Sequence, residues 1–101
     1  MISVSKSLII NNFEWLINNQ IAMDMFELAG LQNDLIEVYN KIKEFIPDDL
    51  IVDGDLYELD KCNVGKYCSL YNYFKNLTKI QKNKDTYLPN LVGIYLVMKT
   101  L

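Results

Sequence analysis

Only four glycines and two prolines interrupt the 101 residues. A sandwich or barrel of this length needs a turn roughly every 8–12 residues, so the scarcity of breakers points to helices. Half of the residues are apolar, which is ample for one buried core and far above the level of disordered chains. The chain reads as one mainly α domain over residues 1–101, a bundle of about five helices.

The breakers and caps place the elements. Ser5 or Ser7 caps a first helix running to Asn18, with Ile9, Phe13, Leu16 and Ile17 as its buried stripe. A second helix over 21–29 sets Ala22, Met25, Phe26 and Ala29 on one side, and Gly30 follows as a left-handed cap. Asp34 and Glu37 make a capping-box-like start for a third helix. Its stripe is Leu35, Val38, Ile42 and Phe45, and Pro47 ends it. A fourth helix over 64–82 carries Tyr67, Leu70, Phe74 and Leu77.

Two segments are ambiguous by pattern. Leu50-Ile51-Val52, Asp53-Gly54 and Asp55-Leu56-Tyr57 suit a short β-hairpin near residues 50–57, since Asp-Gly favours a type I′ turn. Residues 89–100 suit a helix with Pro89 in its first turn, with an α+β fold as the alternative if 91–98 form a strand. The helix is preferred, because a lone hairpin is a poor sheet partner.

Charge is the feature that speaks to function. All ten basic residues are lysine, and histidine is absent. Residues 1–60 carry a formal charge of −9 and residues 61–101 carry +6, summing to −3. The acids are densest where lysine is missing: Glu44, Asp48, Asp49, Asp53, Asp55, Glu58 and Asp60. With Tyr57 among them, they form the candidate partner-binding site, because an acidic field steers basic proteins into contact. The competing structural account is a solvated loop partly neutralised by Lys75, Lys79 and Lys82.

These three lysines share one helical face beside Tyr67, Tyr71 and Tyr73, which gives the alternative of a nucleic-acid platform. Negative net charge and the lack of arginine weigh against it, so nucleic acid is not the expected partner. A third alternative is an oligomerising module that uses the apolar C-terminal segment. Tyr39, Tyr67 and Trp15 are expected in the core.

Enzyme chemistry is not expected. No histidine stands ready to activate Cys62, Cys68 or a serine, and Gly54, Gly65 and Gly93 are isolated rather than grouped in a phosphate loop. The two cysteines lack the further ligands of a zinc site and read as reduced thiols. A calcium loop starting at Asp49 fails at Ile51 and at Asp60, where an oxygen ligand and a glutamate belong. No cofactor or metal is therefore expected. Asn11, Asn12 and Glu14 interrupt any leader-like apolar run, and Leu88–Met98 is too short to cross a bilayer. The expectation is a cytoplasmic inhibitor of a basic protein, such as an immunity protein or antitoxin acting on a toxin nuclease.

Overall fold

The computed structural model describes residues 2–52, 59, 64–80 and 83–100. The chain opens with a strand, β1 (Ile2–Ser5), and passes directly into α1 (Lys6–Asn18). The switch is made at Ser5, whose extended backbone leaves its Oγ to accept the Leu8 N–H at 3.1 Å. Such a cap stabilises a helix by about 1 kcal/mol. Ile9, Phe13 and Leu16 are the buried stripe of α1, and Ile17 is half-buried beside them.

Asn19 then serves two helices. Its N–H closes α1 on the Leu16 carbonyl, and its Oδ1 accepts the Ala22 N–H at 3.0 Å to open α2 (Gln20–Leu28). The buried side chains of α2 are Met23 and Phe26. Met25 and Ala29, expected inward, are exposed. The inward face is set by Met23 and Phe26, three residues apart, and Met25, two residues from Met23, falls off it.

Gly30 has φ +72° and ends this helix as expected. The Leu31 N–H donates to the Phe26 carbonyl (2.8 Å) and the Gly30 N–H to the Glu27 carbonyl (3.0 Å), the paired closure of a Schellman motif. α3 (Gln32–Phe45) begins two residues ahead of Asp34 and has no side-chain cap. Asp34 instead lies in the first turn, where its charge complements the helix dipole. Leu35, Val38 and Ile42 are buried, but Phe45 is 54% exposed, a departure from the expected stripe. Ile46, the residue before Pro47, is extended and stops the helix, as steric conflict with the proline ring requires.

The strand expected near residue 50 is present as β2 (Asp49–Val52). It pairs antiparallel with β1, in the register Ile2↔Val52, Ser3↔Ile51, Val4↔Leu50 and Ser5↔Asp49. The Lys6 N–H extends this ladder to the Asp48 carbonyl at 2.8 Å. The other half of the expected hairpin, residues 53–57, lies outside the described residues.

A 3-10 turn (Gly65–Tyr67) leads into α4 (Cys68–Ile80), which buries Leu70, Tyr71, Phe74 and Thr78. Leu77 is half-buried. The last element, α5 (Lys84–Thr100), settles the helix-or-strand ambiguity in favour of helix. It starts five residues before the expected position, so Pro89 lies inside it. Residues 89–94 are buried without a break. A helix that is apolar on all sides belongs in the middle of a fold, and α5 packs against α1, α3 and α4. Residues 89–94 of the apolar C-terminal segment are therefore core.

Gly93 sets the spacing at this crossing. A Cβ there would lie 2.8 Å from Ile9 Cγ2 and 3.1 Å from Ile42 Cδ1. Gly93→Ala should therefore lower the unfolding free energy by about 1–2 kcal/mol in urea titration, since overpacking outweighs the gain in helix propensity. At Gly30 there is open space but a positive φ. Gly30→Ala should cost about 1 kcal/mol through backbone strain alone.

Candidate functional site

The acids that the structure describes emerge where α3 gives way to β2. Glu44 lies in the last turn of α3, Asp48 in the connection and Asp49 at the start of β2. All three are exposed. Strand alternation explains Asp49 and Ile51, which face out while Leu50 and Val52 face the core. Phe45 and Ile51 (64% exposed) place apolar surface among these charges. Asp53, Asp55, Tyr57, Glu58 and Asp60 lie outside the described residues.

No lysine among the described residues pairs with Glu44, Asp48 or Asp49. Nearby lysines are occupied elsewhere. Lys6 Nζ donates to the Lys43 carbonyl at 3.0 Å, answering the negative end of α3. Lys43 Nζ lies 4.8 Å from the centre of the Tyr39 ring, a cation–π distance. Glu44 stands against the dipole of its own helix, an arrangement that costs about 0.3–1 kcal/mol.

The lysine face takes a different form from the one expected. Lys75 is half-buried and Lys79 exposed on α4, while Lys82 lies outside the described residues. Tyr67 and Tyr71 are buried, and Tyr73 packs on Phe26 with ring centres 5.1 Å apart. Lys66 Nζ lies 5.1 Å from the Tyr67 ring centre, and the half-buried Tyr73 points to the opposite side of α4 from Lys75. Cys68 is an exposed thiol with the Asn72 amide at 3.5 Å, and Cys62 lies outside the described residues. Among the described residues no three acids or cysteines gather where a metal ion could sit.

Two features escape the sequence pattern. The first is a polar link between α3 and the 3-10 turn. Lys66 Nζ donates to Glu37 Oε1 at 2.5 Å, and the Tyr67 hydroxyl donates to the same oxygen at 3.1 Å. The Lys66 hydrogen bond holds the Glu37 carboxyl below the ordinary glutamate range, and the Tyr67 hydroxyl adds to this. The same bond raises Lys66. Burial, followed by the Glu37 contact, raises Tyr67. Glu37 is thus a bridging group rather than part of a capping box.

The second is an apolar groove where the end of α1 meets α2, α4 and α5. It encloses about 260 Å³ between Trp15, Ile21, Met25, Tyr73, Leu77 and Tyr87. Trp15, expected in the core, is 58% exposed. It stands two residues beyond Phe13 and so points well away from the Ile9–Phe13–Leu16 stripe. Tyr39 is half-buried, and its hydroxyl donates to Glu14 Oε1 at 2.9 Å. The available signal for the groove is a second apolar stripe on α2, Ile21, Met25 and Leu28, spaced i, i+4, i+7.

Comparison with protein-family models, with curated proteins and with solved structures finds no match for this chain. Among the described residues no helix is long and apolar enough to cross a membrane.

The Glu37 link carries a pH signature. Its carboxylate contribution is fully present above the ordinary value of 4.5 and is lost as pH falls through the lower folded value. Glu37→Gln should therefore destabilise the chain at pH 7. The gap between variant and wild-type urea midpoints should narrow as pH falls below the ordinary glutamate value and the wild-type carboxylate takes up its proton.

Proposed function

We propose that this chain is a small protein-binding inhibitor of the immunity-protein or antitoxin kind, which neutralises a basic toxin or nuclease in the cytoplasm by covering it. The observation that carries this reading is the exposed acidic end. Glu44, Asp48 and Asp49 face solvent, the exposed Phe45 follows Glu44 and the exposed Ile51 shares the outer strand face with Asp49, and no described lysine answers them. Charges of one sign around exposed apolar side chains suit a steered protein contact. The charges raise the encounter rate and the apolar centre lengthens the stay. Such an inhibitor works by occlusion and needs no nucleophile, metal or cofactor of its own.

The test is capture from the native source with this chain as bait, washed first at low and then at high salt. A basic protein should be retained and then released by salt. A bait with Glu44→Lys, Asp48→Lys and Asp49→Lys should bind it at least about tenfold more weakly. Lys75→Glu with Lys79→Glu should leave capture intact. Equal capture by the charge-reversed bait, or recovery of nucleic acid in place of protein, would overturn the reading.

A further inference from the structure

The groove lies apart from the acidic end and has its own chemistry. Its volume of about 260 Å³ falls just below the roughly 300–1,000 Å³ of small-molecule sites. It suits one or two large side chains. The walls are tryptophan, tyrosine and methionine, the residue types that form anchor pockets at protein interfaces.

The apolar surface also runs beyond the cavity. On α2, Ile21 (76% exposed), Met25 and Leu28 (90% exposed) form one ridge. On α4, Tyr73, Leu77 and the exposed Ile80 form another at the same i, i+4, i+7 spacing. The furrow between two helical ridges accepts a third ridge of the same kind, the apolar stripe of another helix.

Charge selects the occupant. From residue 7 to residue 40 there is no lysine. Asp24 stands three residues after Ile21 and four before Leu28, on the flank of the α2 ridge. Glu14 lines an adjoining depression that shares Trp15 and Asn19 with the groove. On α4, Lys75 lies two residues from both Tyr73 and Leu77, on the far side of the helix, and the exposed Lys84 stands three residues before Tyr87, so the negative edge of the groove is its α1–α2 side. A second copy docked through the same α1–α2 edge would bring Glu14 and Asp24 toward their own counterparts, and an anionic lipid surface meets the same repulsion.

We infer that this groove seats an amphipathic helix from a basic partner, with lysine or arginine beside an apolar stripe and one large side chain in the cavity. The inference rests on the reading of the chain as a binder of basic proteins, and adds a second contact on a different face.

Trp15 is the sole tryptophan, so its fluorescence reports on the groove directly. The probes are two synthetic helical peptides with a leucine stripe around a central phenylalanine, one flanked by lysines and the other by glutamates. With the full chain, the lysine peptide should shift Trp15 emission to the blue, saturably, and bind at least tenfold more tightly than the glutamate peptide. Ile21→Ser with Met25→Ser, at exposed positions and checked for retained helicity, should weaken binding at least tenfold. No shift with the lysine peptide, or equal binding of both peptides, would overturn the inference. So would a blue shift that grows with the chain's own concentration, or one produced by phosphatidylglycerol vesicles and not by peptide. Capture of a basic protein without a groove response leaves the proposed function standing and removes this site. A groove response with no such protein in the native source does the reverse.

Discussion

The close crossing of α5 over α1 and α3 at Gly93 is the contact on which the rest of the structure depends. With no side chain at that point, Ile9, Phe13 and Ile42 come within van der Waals range of the helix backbone. The six consecutive buried residues 89–94 are thereby surrounded by α1, α3 and α4. Because α5 occupies the centre, every other helix is peripheral and needs only one inward face. α2 is the shortest helix among those described and the farthest from this arrangement in its contacts, joining α1 and α3. Met23 and Phe26 satisfy its inward face, the latter against Tyr73 and Phe74. The Ile21–Met25–Leu28 stripe is therefore surplus to the core. The groove follows from the way the core is built.

What could be read in advance was what is decided locally. Ser5 caps, Gly30 turns and Pro47 stops because each acts within a few residues of itself, and each does so in the structure. Charge was legible for the same reason, since a run of acids without lysine needs no partner to be noticed. Whether the run is exposed depends on alternation along a strand whose partner lies at the other end of the chain. Val4 and Leu50 are 46 residues apart and meet across the ladder. No local pattern announces that pairing. The Asp-Gly signal speaks only to a neighbour close in sequence and is silent on β1.

The misread positions share one physical cause. Periodicity identifies a stripe but not its direction when a helix has apolar residues on more than one side. α5 has them all round and reads equally well as a strand. α2 has them on two sides, so the pattern points Met25 inward where the fold buries Met23. Trp15 follows the same logic. Its size suggests the core, yet its angle from Phe13 sends it outward, where an amphipathic ring is tolerated at an edge. Such residues are the ones that remain available for contact once the core is complete.

The electrostatics of the acidic half show a similar division. Its three lysines all have work inside the molecule. Lys6 closes the end of α3, Lys43 lies over Tyr39, and Lys41 lies one turn after Glu37 and helps hold that carboxylate ionised. Glu37 is in turn bound by Lys66 and Tyr67. The cations of this half thus spend their charge on helix ends, rings and one bridging carboxylate, and no lysine among the described residues pairs with Glu44, Asp48 or Asp49. Glu44 even opposes the dipole of its helix, which Lys6 is required to offset. Lys43 in the last turn suits the dipole, whereas a carboxylate beside it does not. A chain that places a glutamate there, with two aspartates just beyond, gives up a little stability to keep that end negative. Under the proposed function, that negative end is the surface that would steer a basic partner into contact.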